Sequence, residues 1–150
     1  RAWRLKQLQK VPLFQKFLTP ETIRHLNERL NVQTYEDRAV VVGAGEKTNS
    51  FYLVQTGVVR VVDRDGRDQG ELYAGNYFGE LALVKQVPRS ATIVSRGTSV
   101  LVEIKKDVFD ELVGSGDSRQ RLSQLASSFT TGEDKIKVKD MSEIQKLGIL

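Results

Sequence analysis

Hydrophobic and polar residues follow two different periods along this chain of 150 residues. In residues 1–31 the apolar side chains recur every three or four positions, which is the spacing of one buried face of a helix. Residues 32–104 instead carry short runs of β-branched and aromatic residues between glycines and charged turns, a pattern typical of strands. Helical spacing returns over residues 105–129. The pattern predicts an α+β fold with a β sandwich or barrel, of the jelly-roll type, between two helical segments.

Capping and turn residues predict where several elements begin. Thr19-Pro20 is typical of an N-cap followed by proline at the first helical position. Asp107 is a predicted N-cap for a helix after the last strand, and the run from Asp63 to Arg67 predicts a hairpin turn with Gly66 at a positive φ. Strands are predicted over residues 32–42, 51–54, 57–63, 69–73 and 91–104.

Composition excludes several classes of site. The chain has no cysteine and a single histidine, so we expect neither disulfides nor thiolate or histidine-cluster metal sites. The formal net charge of +4 is that of an ordinary solvated surface, and no nucleic-acid-binding motif accompanies it. The apolar runs are too short to span a bilayer, and no signal-peptide pattern opens the chain. We therefore expect a soluble, cytoplasmic protein with no metal, no cofactor, no nucleic-acid partner and no membrane span.

One stretch, FGELALVKQVPRSATIV, concentrates residues suited to a small cyclic phosphate. Gly79 lacks the Cβ that would keep a bound anion away from the backbone N–H groups. Glu80 is an acceptor for a sugar hydroxyl, and the planar guanidinium of Arg89 suits phosphate oxygens. Ser90 and Ala91 leave room for a ring beside the arginine. No nucleophile in the sequence is paired with a base, so we expect binding rather than catalysis here.

The stretch resembles the phosphate-binding cassette of the cyclic nucleotide-binding domains of cAMP- and cGMP-dependent protein kinases. The resemblance is carried, at the family's spacing and without a gap, by Phe78-Gly79-Glu80, Ala82-Leu83, Pro88-Arg89 and Ala91-Thr92. It implies a fold of three segments. An N-terminal helical segment covers 1–31, an eight-stranded jelly-roll barrel covers 32–104 with the cassette at 78–92, and C-terminal helices cover 105–129.

The resemblance also implies roles for individual residues. Glu80 is expected to bind the ribose 2′-hydroxyl and Arg89 the equatorial phosphate oxygen. An apolar residue of the last helix is expected to cover the base as a lid, with Leu122, Leu125 or Phe129 as the candidates. The full set of expected ligand contacts is Phe78, Gly79, Glu80, Leu81, Ala82, Arg89, Ser90 and Ala91.

One loop departs from the family pattern. Kinase members carry two glycines and an aspartate before the strand that begins Phe-Tyr, whereas this chain has Gly45-Glu46-Lys47-Thr48-Asn49-Ser50. Asn49 tolerates the left-handed conformation better than most non-glycine residues, so the turn is expected to survive. What orients Arg89 in the absence of that aspartate is left open.

The residue after Arg89 bears on which nucleotide is bound, and the end of the chain bears on which partner is regulated. The resemblance implies a preference for cGMP over cAMP, because cGMP-kinase sites often have a hydroxyl residue after the arginine and this chain has Ser90 there. Residues 130–150 are predicted to be a linker and the start of a following domain, which resembles the opening of a protein kinase catalytic domain more than that of a second cyclic nucleotide domain. The expected function is a module that relays cyclic nucleotide binding through its flanking helices to a kinase catalytic domain, in cis as in a cGMP-dependent serine/threonine protein kinase, or in trans.

Other interpretations of the sequence remain open at this point. The chain is alternatively a cAMP-binding regulatory subunit domain of protein kinase A type, or the sensor of a cyclic nucleotide-gated channel. A gene regulator would need a DNA-recognition helix, which residues 105–150 do not predict. A barrel that has lost its ligand is a further alternative. For Glu80 and Arg89 themselves, the alternative to ligand contacts is an ordinary surface ion pair in a loop.

Overall fold

The structure, a computed structural model, describes residues 2–85 and 88–113. The helices in this part of the chain are α1 (Ala2–Gln9), α2 (Pro12–Phe17), α3 (Pro20–Glu28) and α4 (Lys106–Val113). The strands are β1 (Asn31–Tyr35), β2 (Val40–Val42), β3 (Ser50–Val62), β4 (Asp68–Leu72), β5 (Tyr77–Phe78) and β6 (Thr92–Lys105). A short 3-10 helix, Leu81–Leu83, interrupts the β region between β5 and β6.

The strands form one antiparallel sheet flanked by helices, as predicted, but the described residues contain six strands rather than eight. The sheet order is β1-β6-β3-β4, with β2 also paired to β6 and β5 to β3, and these pairings do not close it into a barrel. The count differs because β3 and β6 are long strands of 13 and 14 residues that change neighbours along their length. The two predicted strands at 51–54 and 57–63 are thus one strand, which runs through a bulge at Gly57.

Alternation along β3 separates two hydrophobic cores. Phe51 and Leu53 face the helices and join a cluster that includes Phe14 of α2 and Phe109 of α4. Tyr52 belongs to the second cluster, on the other face of the strand. Because successive side chains of a strand point to opposite faces, one strand contributes to both cores. The helices are therefore packed on the same sheet that carries the candidate site.

Most of the predicted capping and turn positions are confirmed. The Thr19 hydroxyl accepts a hydrogen bond from the Thr22 amide at 3.1 Å, and α3 begins at Pro20. Gly66 has a φ of 83° in the turn after β3. Asp107, by contrast, lies inside α4 rather than before it, and its carboxylate accepts from the Val108 amide at 2.8 Å.

Three sequence predictions lie outside the described residues: the helix beyond residue 113, the lid candidates Leu122, Leu125 and Phe129, and the segment 130–150. They stay predictions, as do the proposed segment boundaries. Within the described part of the chain, no helix has the length and apolar character needed to cross a membrane.

Candidate functional site

The turn at Gly79 brings the cassette backbone against β3. Gly79 has a φ of 87°, a conformation that glycine adopts without strain. A Cβ at this position would lie 2.4 Å from the Ser50 carbonyl oxygen and 2.7 Å from Nη1 of Arg89. Glu80 follows with helical backbone angles, and the Ala82 amide closes the turn by donating to the Gly79 carbonyl at 3.1 Å. Glycine is therefore needed both for the turn and for the close approach of Arg89.

Arg89 points into the protein and is held by the loop that departs from the family pattern. Its side chain is 4% exposed, and Nη2 donates to the Ser50 carbonyl at 2.6 Å. Nε donates to the Thr48 hydroxyl. The Arg89 amide donates to the Glu46 carbonyl, and its own carbonyl accepts from the Gly45 amide, both at 2.8 Å. A hydroxyl and a main-chain carbonyl thus orient Arg89, which answers the question that the sequence left open.

Burial lowers the pKa of Arg89 because the charged form loses hydration. Electrostatic interactions with Tyr52, Glu46 and Glu103 act in the opposite direction. An arginine remains protonated under such conditions. The site therefore holds a buried positive charge.

Glu80 is also buried, but its carboxylate is directed at the N-terminal helical segment. The residue is 2% exposed, and Oε2 accepts a hydrogen bond from the Leu13 amide at 2.8 Å. Leu13 is the second residue of α2, whose first amide is absent because Pro12 has none. The N-cap residue Val11 offers no side-chain acceptor. Glu80 therefore caps α2 from 67 residues away in the sequence.

Sequence reasoning missed this contact, although one signal for it was present. A helix that begins at a proline after a valine has backbone N–H groups that no local side chain accepts from. Such a helix, when buried, needs an acceptor from elsewhere in the fold. The Glu80 carboxylate, next to Gly79, is a candidate for that acceptor.

Burial raises the pKa of the Glu80 carboxyl to about 7. The hydrogen bond from Leu13 and the positive charge of Lys16 oppose this shift but are smaller in effect. The carboxyl therefore changes its charge near neutral pH.

This pKa predicts that Glu80 makes the protein less stable as pH rises from about 5 to about 8. The folded state binds the proton more tightly than the unfolded state, so the contribution is present below the unfolded pKa of 4.5 and is lost as pH passes through about 7. The full contribution is up to about 3 kcal/mol. Urea unfolding of the wild type and of Glu80→Gln, at matched pH values, measures it.

Glu80→Gln is a suitable control because its amide oxygen still accepts from Leu13 and does not titrate. The free energy of unfolding of the wild type, minus that of the variant, should fall over this pH range. A constant difference would contradict the assigned pKa.

The other predicted contact residues lie in or beside the same turn. Phe78 stacks on Tyr52 with ring centroids 5.0 Å apart, and Ser90 is partly exposed. Within the described part of the chain, no ion pair joins Glu80 to Arg89. The surface ion-pair interpretation is therefore wrong, because both residues are buried and contact different neighbours. The remaining predicted contacts, all buried, are Leu81, Ala82 and Ala91.

A polar cavity of about 490 Å³ adjoins the groups that hold Arg89. Thr48, Ser50, Tyr52 and Glu103 line it, whereas neither Glu80 nor Arg89 does. No group of three or more potential metal ligands comes together in residues 2–85 and 88–113. A buried guanidinium with a polar cavity nearby is therefore what the described residues place here.

Comparison with known proteins identifies the family of the chain. Residues 32–115 match the family model of the cyclic nucleotide-binding domain. A cAMP-dependent protein kinase regulatory subunit of Colletotrichum orbiculare is 34% identical over 108 residues, which cover 71% of this chain and 27% of the relative. A protein of the same description from Blastocladiella emersonii is 34% identical over 122 residues, covering 78% and 30%. The chain therefore spans less than a third of the length of these curated relatives.

Solved structures give the same architecture. A cyclic nucleotide-binding-like protein from Brucella abortus aligns with a TM-score of 0.66 at 23% identity, covering 73% of this chain and 96% of that one. At that identity the likeness concerns the fold alone. The regulatory domain of Toxoplasma gondii PKA, solved as a co-crystal with cAMP, aligns with a TM-score of 0.64 at 26% identity, covering 85% of this chain and 49% of that one.

Proposed function

The chain belongs to the cyclic nucleotide-binding domain family, and from that premise we propose that it is a regulatory module in which Arg89 binds the cyclic phosphate of a nucleotide. The observation that carries the proposal is the buried guanidinium, fixed against the Gly79 turn by Thr48 and Ser50. A guanidinium has five N–H donors, and the described residues accept from two of its groups, Nε and Nη2. Nη1, which lies beside Gly79, is the group we assign to the phosphate.

Glu80 provides a route from the ligand to the flanking helices. We assign its carboxylate to the ribose 2′-hydroxyl, as the family resemblance implies. In the structure the same carboxylate caps α2 through Leu13. A ribose hydroxyl that donates to Glu80 shares this carboxylate with the cap, so occupancy of the site alters how the N-terminal helical segment is held.

The identity of the base rests on two observations that point in different directions. The relatives described above are named as cAMP-dependent, which supports cAMP as the ligand. The hydroxyl of Ser90, next to the phosphate-binding arginine, favours cGMP through a hydrogen bond to the guanine amino group. We propose cAMP as the first candidate and cGMP as the second.

Calorimetric titration with cAMP and cGMP in parallel tests the function. Binding of either nucleotide supports the proposal, and no binding of either at millimolar concentration overturns it. If Ser90 contacts guanine, Ser90→Ala should weaken cGMP binding about fivefold, as expected for one neutral hydrogen bond, and leave cAMP unchanged. Ser90→Thr, which keeps the hydroxyl, is the matched control. Equal effects on both nucleotides would remove the assignment of Ser90 to the base.

We further propose that the regulated partner is a protein kinase catalytic domain. The relatives are named as regulatory subunits of a kinase, which supports a partner on a separate chain. The resemblance of residues 130–150 to the opening of a catalytic domain supports a partner on the same chain. Sequence beyond Leu150 distinguishes the two arrangements.

A further inference from the structure

Glu103 is a buried carboxylate to which the cassette prediction assigned no role. It is 6% exposed and lies on β6, opposite Asn31 of β1 on one side and Tyr52 of β3 on the other. Asn31 Nδ2 and Gln33 Nε2 donate to its Oε1 at 3.0 and 2.8 Å. Ser50 Oγ and Tyr52 Oη donate to its Oε2 at 2.6 and 3.2 Å. Four donors from two neighbouring strands therefore hold one carboxylate.

Ser50 connects this carboxylate to the phosphate-binding arginine. Its hydroxyl donates to Glu103, while its main-chain carbonyl accepts from Arg89 Nη2 at 2.6 Å. Gly79 packs on the same carbonyl, since a Cβ there would come within 2.4 Å of it. A shift of Ser50 would therefore move both the arginine and the turn that carries the cassette.

The charges around Arg89 also implicate Glu103. Among the described residues, no carboxylate lies within ion-pair distance of the guanidinium. The direct acceptors are a hydroxyl and a carbonyl, which leave the positive charge available to an anion. Burial lowers the pKa of Arg89, and Glu103, after Tyr52 and Glu46, is among the groups that oppose this shift without contacting the guanidinium. An acid in direct contact with the guanidinium would instead compete with the phosphate for its donors.

We propose that Glu103 is a positioning residue for phosphate recognition, which holds the Ser50 hydroxyl and thereby fixes the carbonyl that orients Arg89. Burying a carboxylate is costly unless hydrogen-bond donors occupy its acceptor sites. Here the four donors use those sites. The ligand in this inference is the one given by the proposed function, so that part rests on it. The contacts that join Glu103, Ser50 and Arg89 do not depend on that function.

A double-mutant cycle on the full chain tests the proposal through affinity. In Glu103→Gln the amide cannot accept from both donor pairs, and cyclic nucleotide binding should weaken about tenfold, since a hydrogen bond to a charged group is lost. If the effect runs through the arginine, the same change in an Arg89→Lys background should alter affinity less than about twofold, because coupled sites are not additive. Glu111→Gln makes the same chemical change at an exposed carboxylate and should leave affinity unchanged.

Equal losses from Glu103→Gln in both backgrounds, in protein that still unfolds cooperatively, would overturn the proposal. An unchanged nucleotide affinity of Glu103→Gln in the wild-type background would also overturn the proposal. Ser50→Ala keeps the main-chain carbonyl and removes only the link to Glu103. It should reproduce the loss of affinity and add nothing to Glu103→Gln.

A measurement without nucleotide separates this inference from the proposed function. The Nε–H of Arg89, which donates to Thr48, should exchange slowly with water in the wild type and about tenfold faster in Glu103→Gln, as its geometry loosens. Unchanged exchange would overturn the positioning role. A wild type that binds no cyclic nucleotide would overturn the proposed function, while the exchange rates would still decide the role of Glu103.

Discussion

Replacing Arg89 by lysine is expected to weaken cyclic nucleotide binding ten- to a hundredfold. Lysine keeps the positive charge but not the planar fork, so it cannot donate to Thr48, Ser50 and a phosphate in one fixed geometry. The lost charge-assisted hydrogen bond is worth on the order of 1.5–3 kcal/mol, which gives that range of affinity. Calorimetric titration of the wild type and the variant measures the change.

Arg60→Lys is the matched control for this prediction. Arg60 lies on β3 and forms an exposed ion pair with Asp68 at 3.1 Å, so the same substitution there should leave nucleotide affinity unchanged. Thermal unfolding of both variants shows whether the buried substitution has also damaged the fold. Wild-type affinity in a well-folded Arg89→Lys protein would remove Arg89 from the phosphate site.

Local features of the structure were predictable from the sequence because their causes are local. The N-cap at Thr19 needs only a hydroxyl three residues before an amide, and the hairpin at Gly66 needs only a residue that accepts a positive φ. The cassette turn at Gly79 is of the same kind. Each can be recognised within a few residues of sequence.

The strand boundaries were less predictable because a glycine in a strand region can mark either a turn between two strands or a bulge within one strand. The sequence predicts that one strand ends at Val54 and that Gly57 begins the next, whereas Gly57 lies inside β3 with a φ of 86°. A Cβ there would lie 2.6 Å from the Thr98 carbonyl oxygen of the neighbouring strand. The glycine therefore permits a bulge and a close approach of two strands rather than a turn.

The partners of the buried charged groups were not predictable because they depend on register between distant strands and helices. Glu80 contacts a residue 67 positions away, and Arg89 contacts a carbonyl 39 positions away. Glu103 occupies an ordinary position in a strand pattern, and only the pairing of β6 with both β1 and β3 surrounds it with donors. Residue types predict an anion site at the cassette, but they do not indicate which contacts hold Glu80, Arg89 and Glu103 in place.

Removing the ring of Phe14 is expected to reduce the free energy of unfolding by about 3–5 kcal/mol. Phe14 lies on α2, is fully buried, and packs against Phe51 of β3 and Phe109 of α4 with ring centroids 5.2 and 6.1 Å apart. Phe14→Ala would leave a cavity where the N-terminal helical segment, the sheet and α4 meet. Denaturant unfolding monitored by circular dichroism measures the loss.

Phe17→Ala is the control for this change, because Phe17 lies on the same helix but is only partly buried. This substitution should lower the free energy of unfolding clearly less than Phe14→Ala does. A loss below about 1 kcal/mol for Phe14→Ala would mean that α2 is only loosely attached to the sheet. The size of this loss of stability also limits how far α2 can move when a ligand binds in the proposed relay. If α2 is held by this aromatic contact as well as by Glu80, a ribose hydroxyl that shares the Glu80 carboxylate weakens the cap but leaves the packing in place. The helix should then shift on the sheet rather than detach from it.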